Sequence, residues 1–297
     1  MSNPLISYHL DGVLFRDAVR FTAAETGFNE QLIEKDYYCS VALADLCAPK
    51  NSQVVFKGGT CLAKVHADFL RLSEDLDFAV STSTDTTRSQ RSRSLDDFKS
   101  HFASISDRCD CFRIADALCG FNSSLQYGAR LTYKSMVTGQ DESMKIEVSV
   151  REPIIESYEL LPTRTLLLDP FRIAAAVAPF ETPSLSIREA YAEKLRAALS
   201  RREPAIRDFF DLGQAFLNGT ITTLDDALMA ILKEKLSIPE NEEVDLSQEK
   251  LDQLRAQLET QLRPVLRSDD YASFDLEQAF RGVVDVAKFL DRQRMKE

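Results

Sequence analysis

Phe56-Lys57-Gly58-Gly59-Thr60 and, one short helix later, Arg71-Leu72-Ser73-Glu74-Asp75-Leu76-Asp77-Phe78 decide how this chain is to be read. The first stretch carries a strand, Gln53-Val54-Val55-Phe56, into a helix capped at Thr60 and running to about Phe69. The second enters a strand, Leu76-Asp77-Phe78-Ala79-Val80. Side chains alternate faces along a strand, so Asp75 and Asp77 point one way while Leu76, Phe78 and Val80 enter the core. Two hard oxygen donors on one face can share a divalent cation, Mg²⁺ or Mn²⁺, which in turn grips phosphate oxygens. Gly58 and Gly59 remove side chains where the backbone must turn sharply and approach a ligand, and a helix start favours phosphate through its unpaired amides. The pattern points to chemistry on a nucleoside triphosphate. Neither a GxxxxGK[ST] loop nor a complete GxGxxG fingerprint occurs, so ordinary NTPase and dinucleotide-binding folds have no support.

Outward from this pair, Met144-Lys145-Ile146-Glu147-Val148-Ser149-Val150 has the same alternation. It buries Ile146, Val148 and Val150 and turns Lys145, Glu147 and Ser149 to the other face. Beside the first strand, Glu147 could complete a carboxylate triad or deprotonate an attacking hydroxyl. The solvated face of an ordinary amphipathic strand looks identical. Apolar spacing predicts helices between Phe15 and Leu46, a helix near Leu95 to Ser106, and strands at Cys111 to Ala115, Ala129 to Tyr133 and Thr165 to Leu168. Ser81 to Ser94 is almost wholly polar and is expected to be a mobile loop. Its Arg88, Arg91 and Arg93 either stay solvated or meet phosphate or nucleic acid.

After Pro183 the periodicity is helical throughout: Ile187 to Leu199, Ile206 to Leu217, Leu224 to Leu236, Leu246 to Leu262 and Phe274 to Leu290. Pro170, Pro179 and Pro183 interrupt regular structure between Asp169 and Ser184, which suggests a hinge there and domains of 1–170 and 171–297. In the helical lobe, Lys194 and Arg201 lie one heptad apart, Arg202 follows, and Arg207 and Asp211 are one turn apart with Asp208 between them. On spacing alone this is a surface salt-bridge cluster in which Arg207 pairs with Asp211.

The bulk properties narrow the field. A chain of 297 residues with 44% hydrophobic content can bury a large core. No apolar run approaches the roughly 20 residues that span a bilayer, and Met1-Ser2-Asn3-Pro4 does not begin a signal peptide, so a soluble cytoplasmic protein is expected. The six cysteines lack zinc-site spacing and suit reduced core thiols. A net charge of −11 argues against a broad nucleic-acid coat and confines any such partner to a local basic patch.

Taken in order, GGT, RLSEDLDF, KIEVS, AEKLRA and RDFFDL resemble the AbiEii/AbiGii toxin family of nucleotidyltransferases, which includes the mycobacterial MenT toxins. The match covers roughly residues 30 to 215. The resemblance implies an α+β fold, a DNA polymerase beta-like nucleotidyltransferase core with a mixed sheet joined to a helical C-terminal lobe. It implies a toxin of a type IV toxin–antitoxin or abortive-infection pair that moves a nucleoside monophosphate, often a pyrimidine, from an NTP to the 3′ end of tRNA. By position, Asp75 and Asp77, with Glu147 as a third candidate, would hold the metal. Asp75, Asp77, Glu147, Lys194 and Asp211 would form the catalytic set. Lys57, Gly58, Gly59, Thr60, Arg71, Ser73, Lys194 and Asp208 would bind nucleotide, with Thr60 at the triphosphate and Lys194 at a phosphate. Arg88, Arg91, Arg93, Arg201 and Arg202 are the candidates for RNA contact, and a cognate antitoxin is an expected partner. Two rivals share the motifs: transfer to a small molecule such as an aminoglycoside or to a protein side chain, and a nucleotide-binding protein without turnover.

Overall fold

The computed structural model of the chain describes residues 7–48, 53–239 and 241–295; the opening Met1-Ser2-Asn3-Pro4 lies outside them. Two compact units divide after Leu185. The division falls beyond residue 170 because the proline-rich stretch expected to be a hinge carries a strand, Phe180–Ser184, that belongs to the first unit's sheet.

The first unit opens with helices α1 (Gly12–Thr26) and α2 (Glu30–Leu46). Asp11 caps α1 with its carboxylate, Gly27 ends it at φ 77°, and Asn29 caps α2. Next come β1 (Val55–Lys57), α3 (Gly58–Cys61) with a π turn over Leu62–His66, and β2 (Leu76–Ala79). Short helices α4 (Arg88–Arg93), α5 (Asp96–Ala103) and α6 (Ile105–Arg108) lead to β3 (Phe112–Phe121), β4 (Gln126–Lys134) and β5 (Asp141–Ser149). The unit closes with β6 (Glu159–Thr163), β7 (Leu168–Asp169), β8 (Ala174–Ala175) and β9 (Phe180–Ser184). Seven strands form one mixed sheet in the order β3-β4-β5-β2-β1-β9-β6, with β2 parallel to β5 and β1 parallel to β9. Phe56, Leu76, Phe78, Ile146 and Val148 fill the core side, as alternation requires.

Two local expectations are corrected. The helix after β1 starts at Gly58, with Lys57 in the cap position, so Thr60 lies inside it and caps nothing. The polar segment expected to be a loop contains α4, started by a capping box in which Thr87 and Gln90 satisfy each other's backbone amides. Behind the glycine turn, Lys64 is fully buried: its ammonium lies 2.6 Å from Asp36 Oδ1 and 2.7 Å from Ser40 Oγ, and Asp36 Oδ2 accepts from the Leu166 amide at 3.0 Å. This pair fastens the π turn to α2.

The six cysteines are free thiols, and burial pushes Cys39, Cys47 and Cys111 up to about 12, so these three are inert packing groups. Burial also lowers His9 and His66, the latter donating from Nε2 to the Leu185 carbonyl at 3.0 Å. Both take up a proton less readily in the fold than in the unfolded chain, which gains protons from about pH 6.5 downward, so the unfolded state binds more protons and stability is lost as pH falls through that window. We expect the urea midpoint to drop between pH 6.5 and 5.5, and the His9→Gln/His66→Gln variant to flatten that slope; an unchanged slope would refute the assignment.

The second unit is helical: α7 (Ile187–Ser200), α8 (Ile206–Leu217), α9 (Asp226–Ser237), α10 (Gln248–Gln257), α11 (Ser268–Ser273) and α12 (Leu276–Arg294). Tyr191, Leu195 and Leu199 of α7 are buried, and Phe209 stacks on Phe280 with ring centroids 5.7 Å apart. Lys235, also buried, reaches Glu189 at 2.7 Å and Glu193 at 3.3 Å. Among the described residues no helix is long and apolar enough to cross a membrane.

Candidate active site

Strand register assembles the site in the first unit. Asp77 on β2 stands opposite Lys57 on antiparallel β1 and opposite Glu147 on parallel β5. The adjacency of Asp77 and Glu147 expected from the two alternating strands is therefore present. Gly58 has φ +77°, and a Cβ there would fall 2.2 Å from Asp77 Oδ2. A Cβ on Gly59 would fall 2.7 Å from Arg71 Nη2 and 3.1 Å from Ser73 Oγ. The two glycines thus admit a close approach, made by the chain's own Asp77, Arg71 and Ser73. Lys57, Gly58, Gly59, Arg71 and Ser73 belong to one neighbourhood with Asp77.

The segment bearing the aspartates is tied down at four points. Lys35 of α2 pairs with Glu74 at 3.0 Å, and Cys39 Sγ lies 3.6 Å from the Glu74 carbonyl. The Thr60 hydroxyl, expected at the triphosphate, is buried and donates to the Asp75 carbonyl. What Thr60 positions is the aspartate-bearing backbone. Asp75 Oδ1 accepts from the Lys145 amide at 3.2 Å.

Lys145 is the residue the sequence reading passed over, although its place two residues from Glu147 put it on the same face. Its ammonium lies 2.8 Å from Glu147 Oε1. The hydrogen bond to Glu147 and the charges of Glu147, Asp75 and Asp77 raise its pKa against the opposing effect of burial. The expected ready-made triad of Asp75, Asp77 and Glu147 is accordingly not found as such. Among the described residues no three His, Cys, Asp or Glu side chains are gathered to hold a metal. The reason is local: Asp75 precedes β2 and is drawn to the Lys145 amide, while the Lys145 ammonium engages Glu147. The donor set, three carboxylates about one strand pair, nevertheless fits a hard divalent cation in kind.

A second cluster lies within the helical unit. Lys194 of α7 reaches Asp208 Oδ1 at 2.6 Å and Asp211 Oδ2 at 2.9 Å, both on α8. Arg201 stands 3.6 Å from Asp208, whereas Arg207 donates to the Gln261 carbonyl at 3.1 Å. The cluster expected at the surface is instead enclosed: Asp208 and Asp211 both face Lys194, and the carboxylates are only 9% and 5% exposed. Arg202 is exposed. In the first unit, Arg88 and Arg91 of α4 bond to Ser124 and Ser123 at the β3–β4 connection, and Arg93 to Ser89. They form an ordered basic helix where a loose loop was expected.

The family described as the nucleotidyl transferase AbiEii toxin of a type IV toxin–antitoxin system matches residues 41–285. Among solved structures the fold is similar to MenT4, a nucleotidyltransferase toxin from Mycobacterium tuberculosis, with a TM-score of 0.56 and 18% identity over 93% of this chain and 98% of that one. It is also similar to a candidate nucleotidyltransferase from H. pylori (TM-score 0.52, 16% identity, 91% and 98% covered). A third likeness is to JHP933 from Helicobacter pylori (TM-score 0.50, 16% identity, 91% and 95% covered). No curated protein matches the chain.

Proposed function

Because the chain belongs to the AbiEii family of nucleotidyltransferase toxins of type IV toxin–antitoxin systems, we propose that it moves a nucleoside monophosphate from an NTP to a hydroxyl at the 3′ end of tRNA. The new bond joins the acceptor oxygen to the α-phosphorus, the bond from that phosphorus to the β-phosphate oxygen breaks, and pyrophosphate leaves. The observation that carries this reading is the pairing of Asp77 with Glu147 beside a glycine turn that Asp77 itself overhangs.

Asp75, Asp77 and Glu147 are the residues that would hold Mg²⁺ or Mn²⁺. When bound, such ions lower the pKa of an attacking hydroxyl and neutralise the leaving oxygens. Glu147 takes the hydroxyl proton in this reading. Lys57, Arg71, Ser73 and the amides of Gly58 and Gly59 face the phosphates. Lys194, steered by Asp208 and Asp211, neutralises triphosphate charge, and Asp211 is the essential acid of the last motif. With the chain at net −11, RNA is met locally, by the α4 arginines and by Arg201 and Arg202. A cognate antitoxin and action in the cytoplasm, where tRNA and NTPs are, follow from the same reading.

The test is a matrix of the four labelled NTPs, each with Mg²⁺ and total RNA. We expect label at tRNA 3′ ends, with a pyrimidine nucleotide preferred. Label that appears only with an added aminoglycoside or on protein transfers the reaction to that acceptor, and no label in any RNA rejects the tRNA assignment.

A further inference from the structure

We propose that Lys145 is the built-in counter-cation of the carboxylate face, seated on Glu147 in the metal-free protein and displaced from it when a divalent cation is taken up. This rests on the reading of Asp75, Asp77 and Glu147 as metal-binding residues. One residue grips two of the three carboxylates by different means: the amide of Lys145 holds Asp75 at 3.2 Å, and its ammonium holds Glu147 at 2.8 Å. The third, Asp77, faces Glu147 across the β2–β5 register and adds its charge to the same neighbourhood. Three carboxylates so placed repel one another unless a positive charge stands among them.

The two grips differ in what they allow. The amide belongs to β5 and stays with Asp75 whatever cation is present. The ammonium ends a four-carbon stem, and the side chain is 55% exposed, so it can swing to solvent at small cost. A divalent ion on Glu147 meets the ammonium seated at Oε1 of the same carboxylate and repels it, so the two compete for the face. By linkage, metal affinity is lowered by whatever the Lys145–Glu147 contact is worth. The negative charge of the face is thereby partly offset before substrate and metal arrive, with Lys145 as a positioning residue that never touches the reacting atoms.

The experiment measures Mn²⁺ binding without nucleotide, by electron paramagnetic resonance, on wild type, Lys145→Met, Lys145→Arg and Asp77→Ala, each checked by circular dichroism for folding. Methionine keeps the stem and removes the charge; arginine restores the charge. An exposed ion pair of this kind predicts Mn²⁺ binding about two- to fivefold tighter in Lys145→Met and near wild type in Lys145→Arg. In EDTA the methionine variant should melt below wild type, and Mn²⁺ should raise its melting temperature by more. Asp77-dependent binding that is equal or weaker in Lys145→Met overturns the counter-cation while leaving the metal site standing. Failure of wild type and Lys145→Met alike to bind Mn²⁺ through Asp77 removes both.

Discussion

Asp77→Ala should abolish nucleotidyl transfer while leaving the protein folded. The expected loss is about 10³-fold or more, beyond the 10–100-fold typical of residues that merely support a metal ligand. Three observations converge on this side chain: it stands in register with Glu147, opposite Lys57, and its Oδ2 occupies the space that a Cβ on Gly58 would need. It is half-buried on the face of the sheet's central strand, whereas the core is made by its strand neighbours Leu76 and Phe78. Truncation therefore opens no apolar cavity, and the stability change should stay near the roughly 1 kcal/mol of an ordinary substitution. Single-turnover transfer of labelled NMP, beside a melting curve, separates the two effects. Full activity in a folded Asp77→Ala protein would sink the site assignment.

Much of this site was legible in the sequence because strand geometry is periodic. Leu76, Phe78, Ile146 and Val148 announced two buried faces, and once both strands join one sheet their partners Asp77 and Glu147 must share the opposite face. The helical unit was legible for the same reason at a different period: Ile187, Ile206 and their followers start helices within a residue or two of where apolar spacing put them. Register itself was not legible. Nothing local says that Lys145 brings its amide to Asp75 as well as its ammonium to Glu147, because that depends on how two segments seventy positions apart align. Strand β6 escaped because Pro162 interrupts Glu159–Thr163, a residue that strands carry mostly at an edge position such as this one. Helix α4 escaped although its signal was printed in the chain: Thr87 and Gln90 form a capping box, but no apolar face follows to reinforce it.

Lys194→Met should fail in a way that Asp77→Ala does not, losing stability together with activity. The lysine is the cation shared by Asp208 and Asp211, and it is nearly as enclosed as they are. Removing one partner of a buried ionic group leaves uncompensated charge and costs about 3–5 kcal/mol; Arg201, 3.6 Å from Asp208, should hold the loss near the lower end. At roughly 4 °C per kcal/mol, the melting temperature should fall by about 12 °C. Charge and chemistry can then be separated. The triple variant Lys194→Met/Asp208→Asn/Asp211→Asn has no charge left to strand, so it should recover much of the lost stability, as neutral replacements of buried ionic groups commonly do. It should remain inactive, because the amine proposed to meet the triphosphate is gone. Lys235→Met supplies the contrast: that lysine is more deeply buried against Glu189 and Glu193 and has no proposed part in transfer, so its folded fraction should keep the parent's specific activity. A triple variant that is both stable and active would reduce the Lys194 cluster to architecture and leave the nucleotide's phosphates to the residues of the first unit alone.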